Sequence, residues 1–308
     1  MVRYINLCNY SYELYLNMTR HQSIYAYTSS SKDTSANIIK CKILDYNDLL
    51  QLVESEIYVP QINCFRGGGD KYYINVIRDL GLIVWSLYEK QITYISEYNN
   101  EFKKSSGYML YTILKDHLCR YIFSKEQIPL HAALLIIDNK QYKKGIIIFG
   151  ESGAGKSTLC YKLSENSDYK IYSDDLVVFD SVNENIYGKC HQIFFKEDIV
   201  HKFQLEKKFK NVNGKWCWDL EGSGIGSVKD FDIIFLQKGQ DYCEVSVDEM
   251  YNKLIADSFS WCRTQHENEL YRKIYPLISA AGHIIMASYQ DTNHILEVVR
   301  NVWKEENK

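Results

Sequence analysis

The chain has 308 residues, of which 46% are hydrophobic and 24% charged, with a formal net charge of −3 at pH 7. These values are typical of a soluble globular protein, and the length allows two domains. The slightly negative charge, and the lack of basic clusters interleaved with aromatic residues, argue against a nucleic-acid partner. No apolar run approaches the roughly 20 residues of a membrane span, so we expect no membrane partner.

The nine cysteines form no C-x-x-C pair, which argues against a zinc site. Their number is odd, and residues 1–6 lack the apolar stretch of a secretion signal. Both features favour free thiols in a reducing compartment, and we therefore expect a cytoplasmic protein.

Residues 1–125 predict a strand-rich α+β domain. Short runs of β-branched and aromatic residues predict strands, and apolar residues at helical spacing predict helices. We expect strands at residues 40–44, 72–77 and 81–85, helices at 47–54 and 105–123, and a glycine-rich loop at 66–70.

Residues 126–308 predict an α/β domain in which strands and helices alternate. Pro129 introduces an apolar strand at 130–137, and a turn at 138–140 leads to a second strand at 145–149. The further expected elements are a helix at 156–165, strands at 170–173, 231–236 and 283–287, and helices at 273–280 and 293–303.

The second of these strands runs into the segment Gly150–Ser157, which matches the Walker A phosphate-loop (P-loop) pattern G-x-x-x-x-G-K-[ST] at every fixed position. Glycines let the backbone turn its N–H groups toward phosphate oxygens, and the following helix directs its positive end to the same place. The pattern predicts nucleotide binding by Gly150, Glu151, Ser152, Gly153, Ala154, Gly155, Lys156, Ser157 and Thr158. Within it, Lys156 is the expected phosphate ligand, and Ser157 the expected Mg²⁺ ligand.

A phosphate-loop enzyme generally needs a carboxylate at the end of a neighbouring parallel strand to complete the metal site. Asp174 and Asp175 follow the strand predicted at 170–173 and are the candidates. One of them can hold Mg²⁺ while the other accepts the proton of an attacking hydroxyl.

The order of His131, strand, phosphate loop, helix, strand and Asp174-Asp175 resembles the core of the HPr kinase/phosphorylase family, over residues 129–180. The resemblance implies a P-loop core related to phosphoenolpyruvate carboxykinase, with Asp174 as catalytic acid/base. It also implies that Asp175 and Ser157 bind Mg²⁺, and that His131 lies beside Asp174 and tunes it. A histidine that only begins a strand is the alternative for His131.

Two departures from that family stand out. Thr158 takes the position of its glutamate, and the segment 220–226 lacks the arginine of its later signature. The chain looks more like the shorter HPr-kinase-like proteins of peptide-modification systems, such as lasso peptide kinases. That resemblance implies that Lys215 lies in a loop near the nucleotide or the acceptor, although an ordinary exposed lysine is the alternative.

The sequence therefore predicts an ATP-dependent, Mg²⁺-dependent serine kinase, acting on a hydroxyl of a peptide or protein other than HPr, with the acceptor bound by residues 1–125. GTP in place of ATP, and a homo-oligomer, both stay open. Two other functions also stay open: a nucleotide-gated binding module without catalysis, and a small-molecule kinase or relative of phosphoenolpyruvate carboxykinase.

Overall fold

The computed structural model shows a mixed α/β protein that is rich in strands. Its contacts divide the chain into two compact units, Met1–Lys125 and Glu126–Lys308. The structure describes residues 2–7, 10–15, 30, 37–45, 66–68, 72–77, 82–87, 92–97, 114–115, 118–119, 122–123, 127–138, 143–151, 153–165, 168–189, 192–212, 215–220, 226–237, 243–258 and 267–287.

The first unit contains a seven-stranded sheet in the order β1-β2-β3-β7-β6-β5-β4. Its strands are β1 (Val2–Leu7), β2 (Tyr10–Tyr15), β3 (Asn37–Asp45), β4 (Arg66–Gly68), β5 (Tyr72–Ile77), β6 (Leu82–Leu87) and β7 (Ile92–Glu97). β3 pairs in parallel with β2 and β7, and the remaining neighbours are antiparallel. β3, β5 and β6 confirm the three strands predicted in this region.

The described part of the helix predicted at 105–123 is helical and packs on this sheet. Leu114, Leu118 and Ile122 follow helical spacing and are all fully buried. The hydroxyl of Tyr12, a buried residue of β2, donates a hydrogen bond to the carbonyl oxygen of Leu114, at 3.1 Å. The same apolar periodicity that predicted the helix therefore supplies its core-facing side.

The expected loop at 66–70 is wrong for Arg66–Gly68, which forms the edge strand β4 and pairs with β5. Glycines signal a turn, but the backbone groups of β5 offer Gly67 and Gly68 a ladder to join, and this tertiary pairing overrides local propensity. The helix predicted at 47–54 lies outside the described residues.

The second unit contains sheets of six, four and three strands, in the orders β11-β9-β10-β18-β20-β19, β17-β13-β12-β8 and β14-β16-β15. The strands are β8 (Gln127–Leu130), β9 (Ala133–Asp138), β10 (Lys143–Gly150), β11 (Tyr169–Ser173), β12 (Val177–Asp180), β13 (Asn185–Gly188), β14 (Gln192–Phe195), β15 (Lys210–Val212), β16 (Lys215–Asp219), β17 (Gly226–Val228), β18 (Phe231–Leu236), β19 (Cys243–Glu244) and β20 (Ile284–Ala287). The helices are α1 (Lys156–Ser164), α2 (Glu197–Lys202), α3 (Val247–Ser258) and α4 (Glu267–Ala280). Among these described helices, none is long and apolar enough to cross a membrane.

β10 lies inside the six-stranded sheet, parallel to β18 and antiparallel to β9. Residues 146–149 and 231–236 are all buried, as expected for strands covered on both faces. The hairpin of β9 and β10, the helix α1 and the strands β11, β18 and β20 confirm the predictions for this region. α4 begins before the predicted residue 273 and contains Pro276, whereas residues 293–303 lie outside the described part.

The single strand predicted at 130–137 is wrong, because the chain forms two strands there, in different sheets. β8 ends at Leu130 and pairs with β12, and β9 begins at Ala133 and pairs with β10 and β11. The N–H of Ala132 donates to the carbonyl oxygen of Leu130 at 3.0 Å, which closes a tight turn centred on His131. Both strands are apolar and buried, so the sequence shows no break.

Candidate active site

The loop after β10 depends on glycine at the two positions that the pattern fixes, 150 and 155, and also at the variable position 153. Gly150, Gly153 and Gly155 have φ angles of 147°, 87° and 95°, values that side-chain-bearing residues rarely adopt. A Cβ atom on Gly150 would also lie 2.6 Å from the carbonyl oxygen of Leu236 in β18. Glycine at this position therefore lets the loop leave the sheet beside β18 without a clash.

The first turn of α1 directs backbone N–H groups at the loop. Gly155 provides no side-chain cap, and the first turn contains no acidic residue. The N–H of Leu159 donates to the carbonyl oxygen of Gly155, at 2.8 Å. The N–H groups of residues 156–158 come before this first intrahelical bond of the turn. This is the arrangement in which a helix begins with an anion-binding end.

The ammonium group of Lys156 lies inside the loop. Its side chain is buried, and Nζ donates to the carbonyl oxygen of Gly150 and, at 3.5 Å, to that of Glu151. The positive charge is therefore held by loop carbonyl groups, at the place where the motif predicts phosphate oxygens.

The other predicted residues of the motif differ in how far they are exposed. Glu151 is exposed, and Ala154 is buried and closes a turn, its N–H donating to the carbonyl oxygen of Glu151 at 2.9 Å. Ser157 and Thr158 are partly buried in the first turn of α1, whereas Ser152 lies outside the described residues.

His131 and the Asp174-Asp175 pair come together because both lie where the chain crosses between the same two sheets. At His131 the chain passes from β8 of the four-stranded sheet to β9 of the six-stranded sheet, and after Ser173 it passes back from β11 to β12. The register pairs Leu130 with Val177 on one side of the crossing, and Leu134 with Ser173 on the other. The two crossing turns are thus neighbours.

The side chain of Ser173 holds the turn that carries both aspartates. Its hydroxyl donates to the carbonyl oxygen of Leu176 at 2.6 Å and accepts the N–H groups of Leu176 at 3.1 Å and Asp175 at 3.4 Å. Ser173 is 2% exposed, so water competes little for these bonds. Sequence reasoning missed this role, because nothing in the residue pattern separates a turn-forming serine from an ordinary strand end.

His131 has ion-pair geometry with Asp175, the residue next to the aspartate that it was expected to tune. His131 Nε2 lies 3.4 Å from Asp175 Oδ1, and both side chains are more than a third exposed. A histidine N–H that donates to a carboxylate fixes the orientation of that carboxylate. The structure thus joins His131 to the aspartate that was predicted to bind metal.

The strand that carries the aspartates is not the direct neighbour of the strand before the loop, which corrects the expected adjacency. β9 lies between β10 and β11 and is antiparallel to both. β10 and β11 therefore run in the same direction, and their carboxyl ends lie at one edge of the sheet, two strand spacings or about 10 Å apart. The start of β9, which His131 precedes, lies between these two strand ends.

The charges of Asp174 and Lys156 both act on the thiol of Cys160. This α1 thiol is fully buried, and burial raises its pKa well above the ordinary value. The negative charge of Asp174 raises the pKa further, while the positive charge of Lys156 lowers it. A cationic loop and an anionic turn thus act on the same buried atom.

Lys215 does not lie in a loop, which corrects the expectation drawn from the resemblance. It is the first residue of β16, between β14 and β15, and its register partner is Val212. Trp216 and Trp218 of the same strand pack against the apolar cluster that includes Tyr161 of α1, and the Trp218 ring lies 5.4 Å from that of Tyr161.

A different lysine, Lys196, lies beside the loop. Its Nζ is 3.5 Å from the position that a Cβ atom on Gly153 would take. Sequence reasoning missed Lys196 because the contact is tertiary, between the end of β14 and a loop far away in the chain. No local pattern marks this residue.

Comparisons with known proteins add little to this geometry. No protein-family model matches the chain, and no curated protein matches it. A solved structure of the HPr(Ser) kinase/phosphatase from Coxiella burnetii is 17% identical, covering 58% of this chain and 99% of that one, with a TM-score of 0.29. The functional proposal therefore rests on the geometry of the site and not on this match.

Proposed function

We propose that the chain is a kinase that binds ATP at the loop Gly150–Ser157 and transfers its γ-phosphoryl group to a hydroxyl. The observation that carries the proposal is the shared sheet edge. A glycine-dependent loop with a buried lysine lies there, and the Asp174-Asp175 turn lies at the same edge, on the other side of the intervening strand β9. Binding of phosphate and acceptance of a proton are the two tasks that phosphoryl transfer requires of a protein.

The loop supplies binding and charge. N–H groups of the loop and of the first turn of α1 donate to phosphate oxygens. Lys156 exchanges its loop carbonyl acceptors for the β- and γ-phosphates. This exchange needs no new burial, because the ammonium group is already inside the loop.

The residues at this edge fit Mg²⁺, which prefers oxygen ligands and keeps several waters. Ser157 offers a hydroxyl and Asp175 a carboxylate that His131 orients. No group of three or more His, Cys, Asp or Glu side chains in the described ranges could hold a metal ion by itself. This agrees with an ion held partly by phosphates. When bound, Mg²⁺ neutralises charge on the β- and γ-phosphates.

Asp174 takes the role of general base. The acceptor hydroxyl oxygen forms a bond to the γ-phosphorus, the bond from that phosphorus to the β–γ bridging oxygen breaks, and ADP leaves. The hydroxyl proton passes to the Asp174 carboxylate. The transition state is loose, so the base mainly orients the acceptor and takes the proton late.

We place acceptor recognition in the first unit, Met1–Lys125. In its sheet β1 and β4 are the edge strands, and an extended peptide binds proteins by pairing with such an edge. We expect a serine of a peptide or protein other than HPr as the acceptor, because the arginine-bearing signature of the HPr kinases is absent from residues 220–226.

Incubation with γ-³²P-labelled ATP, Mg²⁺ and either HPr or peptides encoded beside the gene tests the proposal. We expect label on a peptide serine and none on HPr. Efficient labelling of HPr would contradict the acceptor assignment. The nucleotide-gated module would be favoured if the wild type and Asp174→Asn both bind ATP and neither transfers label to any acceptor offered.

A further inference from the structure

Lys196 occupies a fixed place between a strand and a helix. β14 ends at Phe195, and Lys196 is the residue before α2, with φ −72° and ψ 149°. Its carbonyl oxygen accepts the N–H groups of Ile199 and Val200, each at 3.2 Å. The backbone at Lys196 is therefore held by the first turn of α2.

Core packing ties this segment to the phosphate loop. Phe195 is buried, and its ring meets that of Tyr161 in α1 edge-on, with the centroids 6.2 Å apart. Ala154 of the loop belongs to the same apolar cluster as these two aromatic residues. The position of the Lys196 backbone relative to the loop is thus set by buried side chains.

The charge of Lys196 is available for a ligand. Its side chain is exposed, and none of the carboxylates that the structure describes forms an ion pair with it. The ammonium group instead lies next to Gly153, 3.5 Å from the site of an added Cβ atom.

We propose that Lys196 is a second phosphate-binding cation, which contacts the nucleotide polyphosphate from outside the loop while Lys156 contacts it from within. The inference rests on the proposed function, since it requires a nucleotide in the loop. It adds a second cation to a motif that itself contains only one lysine. A cation that a separate element supplies in cis stabilises charge on a transferring phosphoryl group. Lys196 would have this role through its place beside Gly153.

Titration calorimetry with ATP and with ADP, each with Mg²⁺, tests the proposal on the full chain. A charged hydrogen bond to phosphate is worth enough that Lys196→Ala should weaken both affinities about tenfold or more. Lys196→Arg, which keeps the charge, should recover most of the loss. The matched control is Lys207→Ala, which removes another exposed lysine just beyond α2 and should bind within about twofold of the wild type.

Two further readouts separate binding from folding. The melting temperature of unliganded Lys196→Ala should equal that of the wild type, because the side chain is exposed. The affinity of Lys196→Ala for ATP should fall less with increasing salt concentration than that of the wild type. If Lys196→Ala binds ATP as the wild type does while Lys156→Ala does not, only this inference fails. A folded wild-type chain that binds no nucleotide overturns the proposed function as well.

Discussion

His131 Nε2 lies 3.4 Å from Asp175 Oδ1, although the two residues belong to turns that are separated in sequence by the phosphate loop and α1. The contact exists because the chain crosses between the same two sheets at both turns. Both turns lie at the sheet edge where the loop begins. The candidate site is therefore built at a junction of sheets.

This contact predicts a role for His131 in the metal requirement. In His131→Ala, Asp175 loses the group that orients it. We expect the Mg²⁺ concentration for half-maximal transfer to rise about 10- to 100-fold, the usual effect of removing such a partner. His131→Gln keeps an N–H donor and should recover part of the loss. A Mg²⁺ requirement unchanged in both variants would leave His131 as a residue that only forms the turn.

Asp174 should be needed for transfer but not for nucleotide binding. Asp174→Asn keeps the shape of the side chain but removes the proton acceptor, so we expect turnover to fall by about 10²-fold or more. The affinity for ATP should stay within a few-fold of the wild-type value. Asp168→Asn is the matched control, because it removes a carboxylate at the opposite end of β11. Equal losses in the two variants would speak against a catalytic role.

The loop glycines should differ in how much stability they contribute. In Gly150→Ala the new Cβ atom would lie 2.6 Å from the Leu236 carbonyl oxygen, and the φ angle is also unfavourable. We expect a loss of about 3 kcal/mol or more in the free energy of unfolding. Among the described residues, the Cβ atom of Gly153→Ala would come within 4 Å only of Lys196 Nζ, the end of a long side chain, so this variant should lose about 1 kcal/mol from its φ angle alone. Denaturant unfolding of both variants measures the difference, and equal losses would contradict the close approach of β18 to Gly150.

A buried ion pair at the opposite edge of the sheet should affect stability without affecting binding. Lys144 Nζ lies 3.1 Å from Asp232 Oδ2, each side chain is 3% exposed, and Asp232 Oδ1 accepts the N–H of His283 at 2.9 Å. Lys144→Met removes the cation that faces this buried carboxylate and should lower the free energy of unfolding by about 3–5 kcal/mol. The double variant with Lys144→Met and Asp232→Asn keeps an oxygen acceptor for the N–H of His283, and it should recover part of that loss. ATP affinity at 25 °C should be unchanged, and a loss of affinity would show coupling between the sheet edges.

The local pattern predicted the parts of the structure that depend on neighbours in sequence. The apolar run into Gly150, the glycines and the helix after Lys156 all carry their own signals of strand, turn and helix. Asp174 and Asp175 were also placed at a strand end, since the alternation of residues 170–173 ends there.

What the sequence could not reveal depends on contacts between distant segments. The apolar run of β8 and β9 is continuous, so the turn at His131 was missed, and with it the pairing of His131 with Asp175. The position of β9 between β10 and β11 depends on strand order, which periodicity does not encode. Lys196 reaches the loop only through the packing of Phe195 on Tyr161, whereas Lys215, which a resemblance had favoured, begins a strand.

The most direct test of the account is titration of ATP with Mg²⁺ into the wild type and Lys156→Ala. The wild type should bind one ATP per chain, and Lys156→Ala should bind at least about 100-fold more weakly, because it lacks the buried charge inside the loop. Both should show the same far-ultraviolet circular dichroism, since the strands and the helix around the loop do not depend on that ammonium group. Equal ATP affinity in the two folded proteins would contradict the assignment of Gly150–Ser157 as the nucleotide site.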